Sequence, residues 1–279
     1  MSRESSASAS SATTSAGKTA GGKSSVIAID LGNSAAKWCI DDQPESRVLL
    51  RSPHWAEQLI AAVSEATDPP RRWRIASVNR PITKMLVGRL NDELPADDVH
   101  LIDCHNIPIP ARVANPDRVG IDRLLAAWMA SRVFAGQASI VVDAGSAITI
   151  DVVSNDGAFL GGAIMPGIAL QFDALARGTD ALPAIDVMID SGEATTADSF
   201  AMPATDTISA IRTGVWLGAA AAIDGLIGHH MNRMNAGQER DVFMPIVFTG
   251  GDSELLSRLS RYQVQWKPRW VLDAISSLE

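Results

Sequence analysis

The feature that most constrains this chain is a pattern that occurs twice. An apolar strand ends in Asp; one residue and a Gly follow, then a short polar turn and a second strand. In the first copy Val26, Ile27, Ala28 and Ile29 deliver Asp30, then Leu31, Gly32, Asn33 and Ser34, and Ala36 to Ile40 runs on with Lys37 inside it. In the second copy Val141 and Val142 deliver Asp143, then Ala144, Gly145, Ser146 and Ala147, and Ile148 to Asp151 follows. Each reads as a β-hairpin with its turn at the glycine. One copy is no more than ordinary turn chemistry. Two copies in the same relative place point to a duplicated chain whose halves each offer a hairpin to a shared cleft. An acid at the end of a buried strand, beside a glycine turn, suits a phosphate and its cation. The glycine lets the backbone come close, its neighbouring amides donate, and the acid holds the charge.

The 279 residues fit one large domain or two of ordinary size, and 46% hydrophobic content is ample for real cores. A net charge of -8 argues against a grip on nucleic acid. It leaves nucleotides open, since these are held by backbone amides and Mg²⁺. The two cysteines, Cys39 and Cys104, lie far apart without a CxxC. They indicate a reducing compartment and no zinc site, with Cys39 in the core. The five histidines show no ligand spacing, and the adjacent His229 and His230 read as solvated. Residues 1–25 are Ser, Ala, Thr, Gly and Lys with little that is large, so a disordered tail without a signal or transit peptide is expected. No apolar run reads as a bilayer span; Val215 to Ile227 comes nearest but is short and carries Asp224. A cytoplasmic protein without a membrane or nucleic-acid partner is therefore expected.

Periodicity lays out the rest. After the first hairpin come a strand at Glu45 to Arg51, a helix at His54 to Ala66, a strand at Arg72 to Val78, a helix at Ile82 to Leu94 and a strand at Val99 to Asp103. Arg71, Arg72 and Arg74 read as edge or surface charge. A Pro- and Asn-rich loop, Asn106 to Arg118, leads to an apolar helix, Leu124 to Phe134. The second half predicts strands at Ser139 to Asp143, Ile148 to Val153 and Ala158 to Ile164, and a helix at Gly167 to Ala176 with Pro166 near its start. An irregular stretch, Thr179 to Asp206, precedes a long helix, Thr207 to Met234, with a possible break near Gly225. A strand at Pro245 to Phe248, a helix at Ser253 to Leu259, a strand near Val264 to Lys267 and a helix at Val271 to Leu278 close the chain. The fold class expected is α/β, two mixed sheets flanked by helices around a central cleft, with domains at 26–136 and 137–279.

Three further motifs carry polar chemistry. Gly120-Ile121-Asp122-Arg123 puts an acid and a base side by side where a loop enters a helix. By themselves these residues fit a helix cap with a surface ion pair at least as well as a ligand grip. Thr249-Gly250-Gly251-Asp252 ends a strand, either as a flat platform for a nucleotide or as a plain strand-to-helix turn. Gly161 to Gly167 offers free amides or a packed turn.

Taken together, Asp30 to Ser34, Asn115-Pro116 with Val119 to Arg123, Asp143 to Asp151, Gly161 to Gly167 and Leu182-Pro183 resemble the type III pantothenate kinases. These belong to the actin, sugar kinase and Hsp70 superfamily of duplicated ribonuclease H-like domains. The resemblance runs from about Val26 to the C-terminus. It implies transfer of the ATP γ-phosphoryl group to the primary hydroxyl of pantothenate in a homodimer. Asp30, Leu31, Gly32, Asn33, Ser34, Ala35, Ala36 and Lys37 would bind the ATP phosphates, with Mg²⁺ on Asp30 directly or through water. Ser146 would touch ATP, and Asp143 would hold a monovalent cation, K⁺ or NH₄⁺. Gly120, Ile121, Asp122 and Arg123 would bind pantothenate, Arg123 at its carboxylate, with Asp122 taking the hydroxyl proton. Thr207 would contact pantothenate across the dimer interface. The family often has Thr where Ser146 and Ile148 stand, and a tyrosine where this chain has Arg112-Val113-Ala114. The missing tyrosine and Ile148 keep open a rival reading, a binding or regulatory relative of the same fold, and a kinase of another small hydroxy compound is a further one.

Overall fold

The computed structural model describes residues 24–185, 199–200, 202–236 and 243–278. Most of the expected N-terminal tail, and much of the expected irregular stretch before residue 206, lie outside the described residues.

The first half runs β1 (Val26–Leu31), β2 (Ala35–Ile40), β3 (Ser46–Leu49), α1 (Trp55–Ala66), β4 (Arg72–Ser77), α2 (Arg80–Glu93), β5 (Asp98–Leu101) and α3 (Ile121–Val133). The second half runs β6 (Ser139–Ala144), β7 (Ala147–Val153), β8 (Phe159–Pro166), α4 (Ile168–Gly178), α5 (Thr207–Asn235), β9 (Ile246–Thr249), α6 (Ser253–Leu259), β10 (Gln265–Trp266) and α7 (Trp270–Ser277). The sheets have the orders β3-β2-β1-β4-β5 and β8-β7-β6-β9-β10, which are the same order once the second half is matched to the first. In both, an antiparallel three-stranded meander is followed by two strands parallel to its first member. The parallel pairs require crossovers, which the helices supply.

Strand alternation divides the apolar side chains between three cores. Ile27, Ile29 and Leu31 pack outward under α1 and α2 with Trp73 and Ile75. Ile140, Val142, Ile148 and Ile150 pack outward under α5 with Phe172 and Phe248. The intervening residues Ala28, Ala76, Val141, Val153 and Val247 face a middle core shared with α3 and α7. There the repeats exchange helices: α7, from the end of the chain, packs on β1, and α3, from the first half, packs on β6 and β7. The two helices also pack on each other, with Phe134 and Trp270 stacked at 6.3 Å. The Trp270 indole N–H donates to the Ala126 carbonyl at 2.9 Å. This pair of helices fixes one sheet against the other and so fixes the two hairpins.

Several local expectations need correction. β8 runs on to Pro166, two residues before α4, so of the two readings offered for Gly161 to Gly167 the free amides are partly committed to pairing with β7. α5 is unbroken at Gly225, whose would-be side chain meets open space. Buried Ile223, Asp224 and Ile227 hold the helix there, against a glycine cost of about 1 kcal/mol. α5 is also long and apolar enough to meet the length and composition of a bilayer span, contrary to expectation, with half of that stretch buried inside this fold. Its Asp224 is buried and accepts from Ser260 Oγ at 2.6 Å and the Arg261 N–H at 2.9 Å. Arg71 is not surface charge: it is 3% exposed and pairs with Asp97 at 2.9 Å. β4 is likewise interior to its sheet, since β5 covers it. His230 is half-buried and its Nε2 has no partner among the described residues, so it is not simply solvated.

Candidate functional site

A cleft of about 1200 Å³ opens between the sheets, and both hairpin turns reach it. In the first hairpin Asp30 stands opposite Lys37 across β1 and β2, and the Gly32 N–H closes the turn on the Ala35 carbonyl at 3.1 Å. In the second, Asp143 stands opposite Thr149, and the Gly145 N–H closes the turn on the Ala147 carbonyl at 3.0 Å. The turns meet at their tips, where the Ser34 and Ser146 hydroxyls are 2.9 Å apart. Asp122, in the first turn of α3, lines the same cleft. Three carboxylates distant in sequence therefore share one space.

Their electrostatics follow from that placement. Burial pushes Asp30 from an ordinary 3.8 up to about 6; Lys37 pulls it down, and Asp122 pushes it further up. Burial pushes Asp143 up to about 7, with Asp122 raising it, Lys37 lowering it and Asp30 raising it again. The difference is legible in the register: Asp30 has a lysine across the ladder, whereas Asp143 has a threonine. Burial also raises Asp122, against the N–H of Arg123, which donates to Asp122 Oδ1 at 2.8 Å, and with Asp151 adding to the rise. Carboxylates packed together with too little positive charge fit a cation between them.

Two glycines make this packing possible. A Cβ on Gly120 would collide with Asp122 Oδ1. Gly250 has φ +95°, and a Cβ there would strike Asp143 Oδ1 and the Ala144 carbonyl. The Thr249 to Asp252 motif thus abuts the second hairpin and lines the cleft. Asp252 is itself pushed up to about 6 by burial, with Arg47 and Lys37 lowering it.

Of the residues singled out from sequence, Asp30, Gly32, Asn33, Ser34 and Ala35 line the cleft, as do Lys37, Asp122, Asp143 and Ser146. Leu31 and Ala36 are fully buried and belong to the outer core. Gly120, Ile121 and Arg123 sit at the start of α3 and do not line the cleft, although Asp122 between them does. The Arg123 guanidinium is engaged by Asp151, through Nε at 3.1 Å and through Nη2, and lies over the Phe159 ring. Thr207 begins α5 on an exposed surface and does not line the cleft of its own chain. Ile148 is fully buried in the core under α5, so a hydroxyl at that position would not face the cleft. Arg112, in the segment where a tyrosine is expected, pairs with Asp156. Sequence reasoning missed Asp151 as the partner of Arg123. The available signal was an acid inside the largely apolar strand β7, which a buried setting tolerates only with a counter-charge. It also missed Trp216, which lines the cleft with its indole N–H buried and without a partner among the described residues.

The pattern that defines the type III pantothenate kinase family matches residues 26–229. A protein of Rhodopirellula baltica described as a type III pantothenate kinase is 35% identical over 257 residues, covering 82% of this chain and 89% of that protein. One of Synechococcus elongatus with the same description is 32% identical over 244 residues, covering 84% of this chain and 87% of that protein. Among solved structures, one described as a conserved Baf family transcriptional activator from Campylobacter jejuni shares the fold. Its TM-score is 0.54 at 21% identity, and the match covers 91% of this chain and 96% of that one.

Proposed function

The chain belongs to the type III pantothenate kinase family and catalyses ATP-dependent phosphorylation of pantothenate in coenzyme A biosynthesis; from that premise we propose how its residues divide the work. The observation that carries the reading is the meeting of Asp30, Asp122 and Asp143 in one cleft between two like hairpins.

Phosphoryl transfer asks for positioning and charge neutralisation more than covalent chemistry. The first turn, Gly32 to Ser34, and Lys37 hold the ATP phosphates, with Ser146 closing on them from the second turn. The donor set at Asp30 suits Mg²⁺, directly or through water, and that at Asp143 suits a monovalent cation, K⁺ or NH₄⁺. When bound, these ions neutralise phosphate charge. Asp122 accepts the proton of the pantothenate hydroxyl, a role its raised pKa favours. Gly120 gives Asp122 the room to face the cleft. Val119 and Ile121 exclude water that would otherwise compete as acceptor. Arg123 anchors the pantothenate carboxylate while Asp151 holds its guanidinium in place. Thr207 acts in trans, in a homodimer. Its own position is exposed, next to Ile208 at 47% exposure and close in sequence to Met202 at 72%, apolar side chains that a second copy would cover. A cytoplasmic location accords with the two free cysteines.

The test is ADP release with pantothenate, Mg²⁺ and K⁺, run beside a panel of other small hydroxy acids and sugars. Pantothenate-dependent turnover that falls when Na⁺ replaces K⁺ is expected. Turnover on another compound with none on pantothenate would overturn the substrate, and no turnover at millimolar substrates would favour the binding-protein rival.

A further inference from the structure

A second cluster of chemistry-bearing side chains lies apart from the cleft. The Pro-rich loop before α3 begins and ends in short 3-10 turns, Cys104–Asn106 and Pro116–Arg118. They bring one atom each from Cys104, His105 and Asp117 within 4.8 Å of one another. A cavity of about 260 Å³ lies among these three and the apolar Ile107, Ile109 and Leu124, and no residue lining it also lines the cleft. We propose that Cys104, His105 and Asp117 form a binding site for one zinc-class divalent cation, with its fourth position open to the cavity.

The donor types choose the ion. A thiolate and an imidazole with one carboxylate match the softer first-row metals and fit Mg²⁺ or Ca²⁺ poorly. A deprotonated Cys104 and an ionised Asp117 supply two negative charges, equal to the charge of the ion, while His105 binds neutral. The geometry is near closure. Tetrahedral coordination at zinc bond lengths puts ligand atoms about 3.3–3.8 Å apart, so atoms within 4.8 Å of one another need at most about 1.5 Å of contraction. His105 and Asp117 are exposed; Cys104 is half-buried.

Both turns that carry the ligands are already fixed. Asp103 Oδ1 accepts from the N–H groups of His105 at 2.7 Å and Asn106 at 3.2 Å. Asn106 Oδ1 accepts from the Asp103 N–H at 2.8 Å, completing a capping box. Pro116 starts the second turn, and the Arg118 N–H donates to the Asn115 carbonyl at 3.1 Å. Little backbone ordering is then left for the ion to impose, which favours its binding. An ion here ties residues 104 and 117 together across the loop that enters Gly120 to Arg123.

Co²⁺ titration of the untagged full-length chain, followed by absorption, tests this without reference to kinase activity. One equivalent should produce a thiolate-to-cobalt charge-transfer band with tetrahedral visible bands, and Zn²⁺ should displace it. Cys104→Ser should abolish the charge-transfer band, His105→Ala and Asp117→Asn should each weaken affinity at least tenfold, and Cys39→Ser should leave the titration unchanged. An octahedral spectrum without a thiolate band, or a band that survives Cys104→Ser, would overturn the proposal. Circular dichroism of each metal-free variant separates a lost ligand from a lost fold, and a wild-type spectrum without the thiolate band already refutes the site.

Discussion

Replacing Asp143 by Asn should make the ligand-free protein more stable at alkaline pH. Burial and the neighbouring Asp122 and Asp30 raise the Asp143 carboxyl to about 7. A folded-state pKa above the unfolded one means that the folded chain holds the proton more tightly. The stability this confers is complete below about pH 4 and is lost as pH rises through about 7. A shift of roughly three units corresponds to about 4 kcal/mol in a sealed site. The carboxylate is partly open to the cleft, so solvent screening leaves about 1–2 kcal/mol. Asn is neutral throughout and escapes that loss. It also relieves Asp30 and Asp122, which adds in the same direction. For a chain of this size, 1 kcal/mol moves Tm by roughly 2–4 °C, so the variant should melt roughly 2–8 °C above wild type near pH 8, with the gap shrinking toward pH 5. The assay is thermal unfolding by circular dichroism at both pH values, with and without K⁺. K⁺ should raise the wild-type Tm by mass action and leave the variant unmoved. A variant no more stable than wild type near pH 8, or an advantage of equal size at both pH values, would refute the assignment of Asp143 as an under-neutralised carboxylate.

Asp122→Asn should lower kcat by about 10²–10⁴ while pantothenate and ATP still bind, because the shape is kept and the proton acceptor is lost; single-turnover rates with calorimetric affinities check it, and near-normal rates would remove Asp122 from that role. Asp151→Asn strips the counter-charge from the half-buried Arg123, so urea unfolding should show a loss of about 3 kcal/mol and the KM for pantothenate should rise more than kcat falls. Gly250→Ala combines a strained φ of +95° with a collision against Asp143. It should cost at least about 1 kcal/mol and abolish the K⁺ response in Tm, and a variant that keeps that response would show that the strand end does not shape the cation site.

What the residues determined by themselves was most of what depends on order along the chain. Alternation of Ile27, Ala28 and Ile29, and of Ile140, Val141 and Val142, gave the strands and their two faces. The Asp, Gly and polar turn at residues 30–34 and 143–146 gave two hairpins whose acids fall in matching places. The repeat boundary proposed at 136/137 is of the same kind, a feature of order. It does not reveal that α3 and α7 each dock on the other repeat's sheet. What only the tertiary structure decided was who meets whom across space. Arg123 meets Asp151, 28 residues away, and Ser34 meets Ser146, 112 residues away. Arg71 finds Asp97 in the interior although its own neighbours read as surface charge. Cys104 and His105 show no metal-ligand spacing because their third companion, Asp117, lies beyond a proline-rich loop. Propensity and periodicity act over a few residues, so they survive in the sequence. Convergence of distant side chains is set by sheet twist and helix packing, and those are settled only when the three cores close.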